Sequence, residues 1–220
     1  MKPTPYHANF VRAGRGFARL VSPVVRLDLP DRLTVPTTRP VLFAGNHRSL
    51  FDFVATMAIF ARFDMSSRLL IRADMVNGRF GGPLFRSIGS IATSSATREQ
   101  AEQEAIAALL DGQLVSIMPE GRLIPAAERG DDPVGPARPG VSRIARQAGA
   151  VVIPVGFCGS EHVWPRDRYP RVRYPRRTVT IRLGEPLEVS GDDDQANTDE
   201  IMAHLGALVR RLENQRQAAA

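Results

Sequence analysis

Residues 41–63, VLFAGNHRSLFDFVATMAIFARF, decide the fold. The segment begins with a short apolar run, Val41–Ala44, and continues after a polar turn with a helical apolar pattern from Phe51 to Phe63. A strand that leads into a helix is the repeating unit of parallel sheets. The segment therefore predicts one strand and one helix that packs back onto it.

The same alternation continues along the chain. Short apolar or β-branched runs predict four more strands, at Arg68–Ile71, Gln113–Met118, Ala150–Gly156 and Thr178–Leu183. Helical periodicity predicts three more helices, at Arg98–Leu110, Val141–Ala148 and Thr198–Arg216. The pattern predicts an α/β fold: a single domain with a mostly parallel central sheet flanked by helices. In such sheets, ligands bind at the carboxyl ends of the strands.

Composition excludes several classes of protein. The chain has 220 residues, 43% of them hydrophobic, which suits one core. Its single cysteine, Cys158, cannot form an intrachain disulfide and is predicted to be buried and inert. We expect no metal, because no Cys/His cluster has zinc-site spacing. No apolar run approaches the roughly 18 residues of a membrane span, and no signal peptide is evident.

Charge points to an anionic partner. The chain carries 29 Lys and Arg against 23 Asp and Glu, a formal net charge of +6, and Lys2 is the sole lysine. The densest basic segment, Arg166–Arg177, interleaves six arginines with tyrosine and proline. It could be a surface loop, or it could contact anionic lipid, the phosphates of CoA or single-stranded nucleic acid.

The N-terminal segment, residues 1–30, is set apart from the proposed main domain, residues 31–220. From Tyr6 to Leu29 it alternates apolar residues with arginines and predicts an amphipathic helix, stopped or kinked near Pro23. The helix could lie in an anionic membrane surface, with its arginines at the headgroups and its aromatic residues below. It could equally pack on the core with its arginines in solvent.

A histidine and an aspartate stand five residues apart in the turn after the first predicted strand. In one continuous helix, His47 and Asp52 would point about 140° apart and could not meet. If the helix instead begins near Ser49, Asp52 can orient His47, and a histidine supported in this way is a competent general base. The alternative is a capping box, in which Ser49 and Asp52 only satisfy the start of the helix.

A second polar turn, Pro119–Arg122, follows the strand that ends at Met118. A carboxylate, a glycine and an arginine at a strand's carboxyl end make a plausible anion-binding corner, formed here by Glu120, Gly121 and Arg122. The alternative is a simple turn with a surface Glu–Arg pair. The Gly- and Pro-rich segment Pro125–Pro139 that follows is predicted to be an exposed loop. His162 and Trp164 are interpreted as packing residues that could also line a channel.

Three motifs in this order and spacing resemble the glycerolipid acyltransferases. They are Asn-His-x-Ser-x-x-Asp at 46–52, Pro-Glu-Gly-Arg at 119–122 and Val-Val-Ile-Pro-Val at 151–155. The resemblance covers roughly residues 40–190 and is closest to the 1-acyl-sn-glycerol-3-phosphate, or lysophosphatidic acid, acyltransferase type. The combination is far more specific than the His-x-x-x-x-Asp pattern alone.

The resemblance implies roles for individual residues. His47 would be the general base and Asp52 would orient it, with no acyl-enzyme. Substrate-binding residues would be drawn from the three motifs and the block between them: Asn46, Ser49, Arg72, Arg98, Glu120, Gly121 and Arg122. The reaction would use no cofactor beyond its donor substrate, acyl-CoA or acyl-carrier protein.

The block between the first two motifs departs from the family pattern. Arg72 stands near the usual Lys position, and Gly82 and Gly89 match two glycines of the pattern. The segment at 91–95 lacks the usual terminal Arg, so Arg98 is the candidate substitute. In the next motif Met118 replaces the usual Phe, and Arg122 follows Gly121 without the common intervening Thr. These departures bear on the acceptor rather than on acyl transfer.

These features lead us to expect a peripheral acyltransferase at the cytoplasmic face of the cell membrane. It would transfer a fatty acyl chain to the hydroxyl of a lysophospholipid, with 1-acyl-sn-glycerol-3-phosphate as the favoured acceptor and phosphatidic acid as product. The alternatives are a related acyltransferase with a glycolipid or amine acceptor, and a non-catalytic lipid-binding relative. Nucleic acid is not an expected partner, because no recognised binding signature is present.

Overall fold

The strand and helix of residues 41–63 form as the sequence predicts. The computed structural model describes residues 4–36, 38–79, 81–124, 126–164 and 176–218. Strand β2 (Val41–Gly45) leads through a turn into α2 (Phe51–Arg62), and both are almost entirely buried. Two elements precede them, α1 (His7–Val21) and β1 (Val25–Asp28).

The remaining elements alternate along the chain. The strands are β3 (Ser67–Arg72), β4 (Ile91–Thr93), β5 (Leu114–Ile117), β6 (Val151–Cys158), β7 (Arg177–Leu183) and β8 (Leu187–Glu188). The helices are α3 (Ala73–Val76), α4 (Gly82–Ser87), α5 (Arg98–Leu110), α6 (Ala126–Arg129), α7 (Gly140–Ala148) and α8 (Asp194–Ala218). A 3₁₀ turn spans Ser160–His162.

The strands form one sheet in the order β1-β7-β6-β2-β5-β3-β4, with β8 beside β6. The central strands β6, β2, β5, β3 and β4 are parallel, whereas β7 and β8 pair with β6 in the antiparallel sense. Ala44 of β2 lies opposite Ile117 of β5. The turns that follow these two neighbouring strands therefore emerge side by side, and the mostly parallel α/β fold is confirmed.

Helices cover both faces of the sheet. On one face, α1 and α2 pack over a core that includes Phe10, Phe43 and Phe60, whose rings meet edge to face. On the other face, α5, α7 and α8 cover the apolar side chains of Leu42, Val115 and Val152 and neighbouring strand positions. Among the described residues, no helix has both the length and the apolar character needed to cross a bilayer.

The N-terminal region differs in part from its prediction. We predicted an amphipathic helix within Tyr6–Leu29 that is stopped or kinked near Pro23, and the helix stops, at Val21. The unpredicted feature is Val25–Asp28, which pairs with β7 as an edge strand of the sheet. The aromatic residues of α1 face the protein, since Phe10 is fully buried and Phe17 packs edge to face on Phe53. Within the described residues 4–30, α1 therefore packs on α2 and β1 pairs with β7.

The segment at 125–139 also differs from its prediction as an exposed loop. Pro133 and Gly135 are buried, and the backbone N–H of Arg138 donates to the Pro119 carbonyl over 3.2 Å. This segment therefore folds back over the turn after β5. The basic segment Arg166–Arg177 lies outside the described residues up to residue 175, and its predicted contacts are untested.

Candidate active site

The turn between β2 and α2 brings His47 and Asp52 together. Because α2 begins only at Phe51, the chain before it is free of helical geometry and folds the imidazole back onto the first helical turn. His47 Nδ1 lies 3.1 Å from Asp52 Oδ2. The imidazole is 20% exposed, whereas Asp52 is completely buried.

Asp52 also satisfies the backbone of the turn. Its Oδ2 atom accepts hydrogen bonds from the N–H groups of Arg48 and Ser49, each at 2.8 Å. This is half of a capping box, and Ser49 Oγ supplies another contact at the start of the helix by accepting from the Phe51 N–H over 3.0 Å. The capping and orienting interpretations are therefore not exclusive, because one carboxylate oxygen makes both sets of contacts.

Glu120 forms a hydrogen bond to the backbone of the same turn, at His47. Its Oε1 atom accepts the His47 backbone N–H over 3.0 Å, and the residue is 4% exposed. Burial raises the pKa of the Glu120 carboxyl above its ordinary value, and the hydrogen bond from His47 offsets only part of this effect. Glu120 was expected to contact substrate; in the structure it is not among the residues that line the cavity, and its carboxylate contacts the backbone of His47.

Asn46 and Ser49, also expected to bind substrate, hold the turn in place. The Asn46 side-chain amide donates to the Phe157 carbonyl over 3.0 Å and accepts the Phe157 N–H over 2.8 Å. These two hydrogen bonds continue the pairing of β2 with β6 beyond the end of β2. Ser49 Oγ donates to the Trp164 carbonyl over 2.6 Å. Both residues are fully buried and neither lines the cavity. Their contacts support a structural role.

A cavity of about 1110 Å³ opens beside His47. Most of its apolar lining comes from the core layer under α1 and α2, including Phe43, Phe53, Phe60 and Leu69. Drug-sized ligand sites usually enclose about 300–1,000 Å³, so this space is large enough for a long apolar chain. The imidazole and Gly45 line it at the carboxyl end of β2.

The structure gathers the predicted arginines around the same cavity. Arg72, Arg98 and Arg122 all line it, as does Gly121, whose positive φ of +66° favours glycine. Arg72 forms an exposed ion pair with Asp74, and Arg122 forms one with Glu128, both at 2.6 Å. Arg98, at the start of α5, has no ion pair within the described parts of the chain.

Sequence reasoning missed another arginine of the site. Arg138 lines the cavity from the segment before α7 and, among the described residues, has no ion pair. Trp164 was not missed: it was interpreted as a packing residue that could also line a channel, and it lines the cavity. The composition of the loop carried no signal for Arg138, because its position depends on how residues 126–139 fold back. Within the described ranges, no three His, Cys, Asp or Glu side chains converge as a metal site requires.

Comparisons with known proteins bear on the family and the fold. A search of curated proteins finds no significant match. Among solved structures, the chain is similar to a 1-acyl-sn-glycerophosphate (LPA) acyltransferase, PlsC, from Thermotoga maritima, with a TM-score of 0.73 and 19% identity over 94% of this chain and 79% of that one. At that identity the likeness shows the fold. The family model named Acyltransferase matches residues 27–158, well over half of the chain, so the protein belongs to the acyltransferase family.

Proposed function

We propose that this protein transfers a fatty acyl chain from acyl-CoA or acyl-carrier protein to the free hydroxyl of a lysophospholipid. The observation that carries the proposal is the contact between His47 and Asp52 at the edge of a large apolar cavity ringed by arginines. An acyl chain needs the apolar wall, and a phosphate needs the arginines. The favoured acceptor is 1-acyl-sn-glycerol-3-phosphate, which would give phosphatidic acid.

The chemistry requires one base. With Nδ1 held by Asp52, Nε2 of His47 would take the proton of the acceptor hydroxyl. The oxygen would attack the thioester carbonyl carbon, and the C–S bond would break as the ester bond forms. The departing thiolate would recover the proton from the imidazolium, which Asp52 stabilises in the meantime. No acyl-enzyme, metal or cofactor enters this scheme.

The four arginines that line the cavity fall into two groups, those with an ion pair in the structure and those without one among the described residues. Arg98 and Arg138 have no ion pair within the described residues and are the first candidates for the acceptor phosphate. Arg72 and Arg122 would have to break their ion pairs with Asp74 and Glu128 to bind the acceptor phosphate. Exposed ion pairs stabilise by only about 0–1 kcal/mol, so breaking them would cost little.

Amphiphilic substrates place the reaction at a membrane. We propose peripheral binding at the cytoplasmic face of the cell membrane, with the exposed arginines near anionic headgroups. In support, Arg12 and Arg19 of α1 point into solvent while the apolar side of the helix packs on α2.

The experiment is an acceptor panel. Purified protein is incubated with labelled acyl-CoA and a mixture of lysophosphatidic acid, other lysophospholipids, a glycolipid and a long-chain amine, and products are identified by mass. We expect phosphatidic acid. A product from the glycolipid or amine would reassign the acceptor, and no product from any acceptor or from acyl-carrier protein donors would favour a non-catalytic lipid-binding protein.

A further inference from the structure

Arg48 has the most densely bonded side chain near the site, although it does not line the cavity. Its backbone N–H belongs to the turn and donates to Asp52. Its side chain is only 5% exposed and pairs with Glu213. Burial of a guanidinium lowers stability unless its N–H groups form hydrogen bonds or ion pairs. The partners of Arg48 therefore indicate its role.

Those partners come from three separate parts of the chain. Nε and Nη2 of Arg48 both donate to the Pro133 carbonyl, at 3.2 and 2.5 Å. Nη1 donates to Glu213 of α8 over 2.5 Å, and Glu161 of the 3₁₀ turn lies 3.8 Å away. We call residues 46–50, between β2 and α2, the catalytic turn. The Arg48 side chain therefore joins the catalytic turn to the loop that contains Pro133, to α8 and to the segment after β6.

The loop that Arg48 holds covers Glu120. We call residues 130–139 the covering loop. Gly135 packs so closely that a Cβ atom there would lie 3.2 Å from Glu120 Oε2, and the Arg138 N–H donates to the Pro119 carbonyl. The carbonyl of Pro133 accepts a further hydrogen bond from Arg129 over 3.2 Å. The covering loop is thus held at two points, the Pro133 carbonyl and the Arg138 N–H, and it carries Arg138 to the cavity wall.

We propose that Arg48 is a positioning residue that fastens the covering loop and α8 to the catalytic turn. It acts through Arg138, which the loop presents to the substrate, and through Glu120, which the loop buries against His47. This role rests on the proposed acyl transfer for its effect on turnover. Its effect on the loop is independent of any activity.

The first test measures the covering loop directly. Hydrogen exchange of backbone amides is compared in the wild type, Arg48→Gln and Arg39→Gln. Arg39 is a matched control, because it also bonds one carboxylate, Glu188, and one backbone carbonyl, that of Gly149, but far from the turn. We expect exchange within residues 134–138 to accelerate at least tenfold in Arg48→Gln only, with β2 and β6 unchanged. Unchanged exchange in the loop would overturn the proposal.

The second test measures turnover. In Arg48→Gln we expect KM for the lysophospholipid to rise at least fivefold, with partial recovery in Arg48→Lys, which keeps the charge but not the paired bonds to one carbonyl. A fall in kcat in proportion to folded protein, with KM unchanged, would reduce Arg48 to a structural residue. If Arg48→Gln does not fold, Arg48→Lys serves both tests. Absence of turnover in the wild type would overturn the proposed function alone, since exchange still reports on the loop.

Discussion

The carboxylate of Asp52 does two things at once, and a substitution can separate them. Asparagine keeps an oxygen that can accept the N–H groups of Arg48 and Ser49 but loses the charge that supports an imidazolium. For Asp52→Asn we expect kcat to fall by on the order of 10²- to 10⁴-fold. The free energy of unfolding should fall by about 1 kcal/mol or less, within the range of a helix cap.

Steady-state kinetics and urea denaturation of the same preparations check this expectation, with Asp52→Ala as the comparison that removes both roles. A loss of stability in Asp52→Asn without a loss of rate would show that Asp52 is a cap only.

Glu120 makes stability depend on pH. Burial raises its pKa in the folded protein, so the buried carboxyl favours the protonated form. Its contribution to stability is complete below the pKa of the unfolded chain and is lost as pH rises through the higher folded pKa. Glu120→Gln keeps the shape without the charge. Relative to the wild type, the variant should therefore gain free energy of unfolding as pH rises from below the ordinary glutamate pKa toward neutrality.

Denaturant unfolding of both proteins at several pH values within that window measures the difference. A stability difference that stays constant would show that folding does not raise the pKa of Glu120. A difference that shifts toward the wild type with rising pH would show that Glu120 is stabilised in its charged form.

At the scale of elements, the packing of α1 on α2 depends on one glycine. A Cβ atom at Gly14 would lie 2.5 Å from the Met57 carbonyl oxygen and 2.6 Å from Ala61 Cβ, too close for either helix to stay in place. Gly14→Ala should lower the free energy of unfolding by about 1–3 kcal/mol. Gly16, two residues on, has open space around it, so Gly16→Ala should raise stability by about 0.5–1 kcal/mol.

Thermal and urea unfolding of this matched pair test the packing. Equal effects of the two alanines, in either direction, would contradict the close approach of the two helices.

Elements with strong local patterns are the ones that the sequence predicts. The runs in β2 and β6 are fully buried along their length, as central strands of a parallel sheet should be, and both form where expected. β5 also forms where expected, although its run is interrupted by Ser116 and is buried only in its first half. The strand β1 was missed because Val25–Asp28 continues the helical spacing of the segment before it and becomes a strand only by pairing with β7. The two residues of β8 are likewise defined by their partner, β6.

The same distinction applies to the site. His47 and Asp52 are five residues apart, so their contact follows from local turn geometry. Arg48 meets Pro133 and Glu213 across 85 and 165 residues, and Arg138 reaches the cavity only because the covering loop folds back. Such long-range contacts leave no periodic signal in the sequence. The residues of the candidate site were therefore predictable near the turn and not in the loop.

At the scale of the whole molecule, the exposed face of α1 tests membrane binding. Deleting residues 1–28 would remove β1 and the packing of α1, so a charge reversal is the cleaner change. Arg12→Glu with Arg19→Glu should weaken binding to vesicles containing anionic lipid by at least about 30-fold, given about 1 kcal/mol for each arginine near the surface.

The matched control reverses Arg210 and Arg211, which lie exposed on α8 at the opposite face of the sheet. Vesicle co-sedimentation at low salt measures both pairs. Equal losses would show that binding follows net charge alone, and no loss in the α1 pair would reject this face as the membrane contact.

We expect acyl transfer by this protein to depend on His47 as the base. The most direct measurement follows the formation of phosphatidic acid, by mass, from acyl-CoA and lysophosphatidic acid with the wild type, His47→Ala and His204→Ala, an exposed histidine on α8 as control. We predict product from the wild type and His204→Ala, and none above background from a folded His47→Ala. Turnover retained in His47→Ala would contradict this expectation.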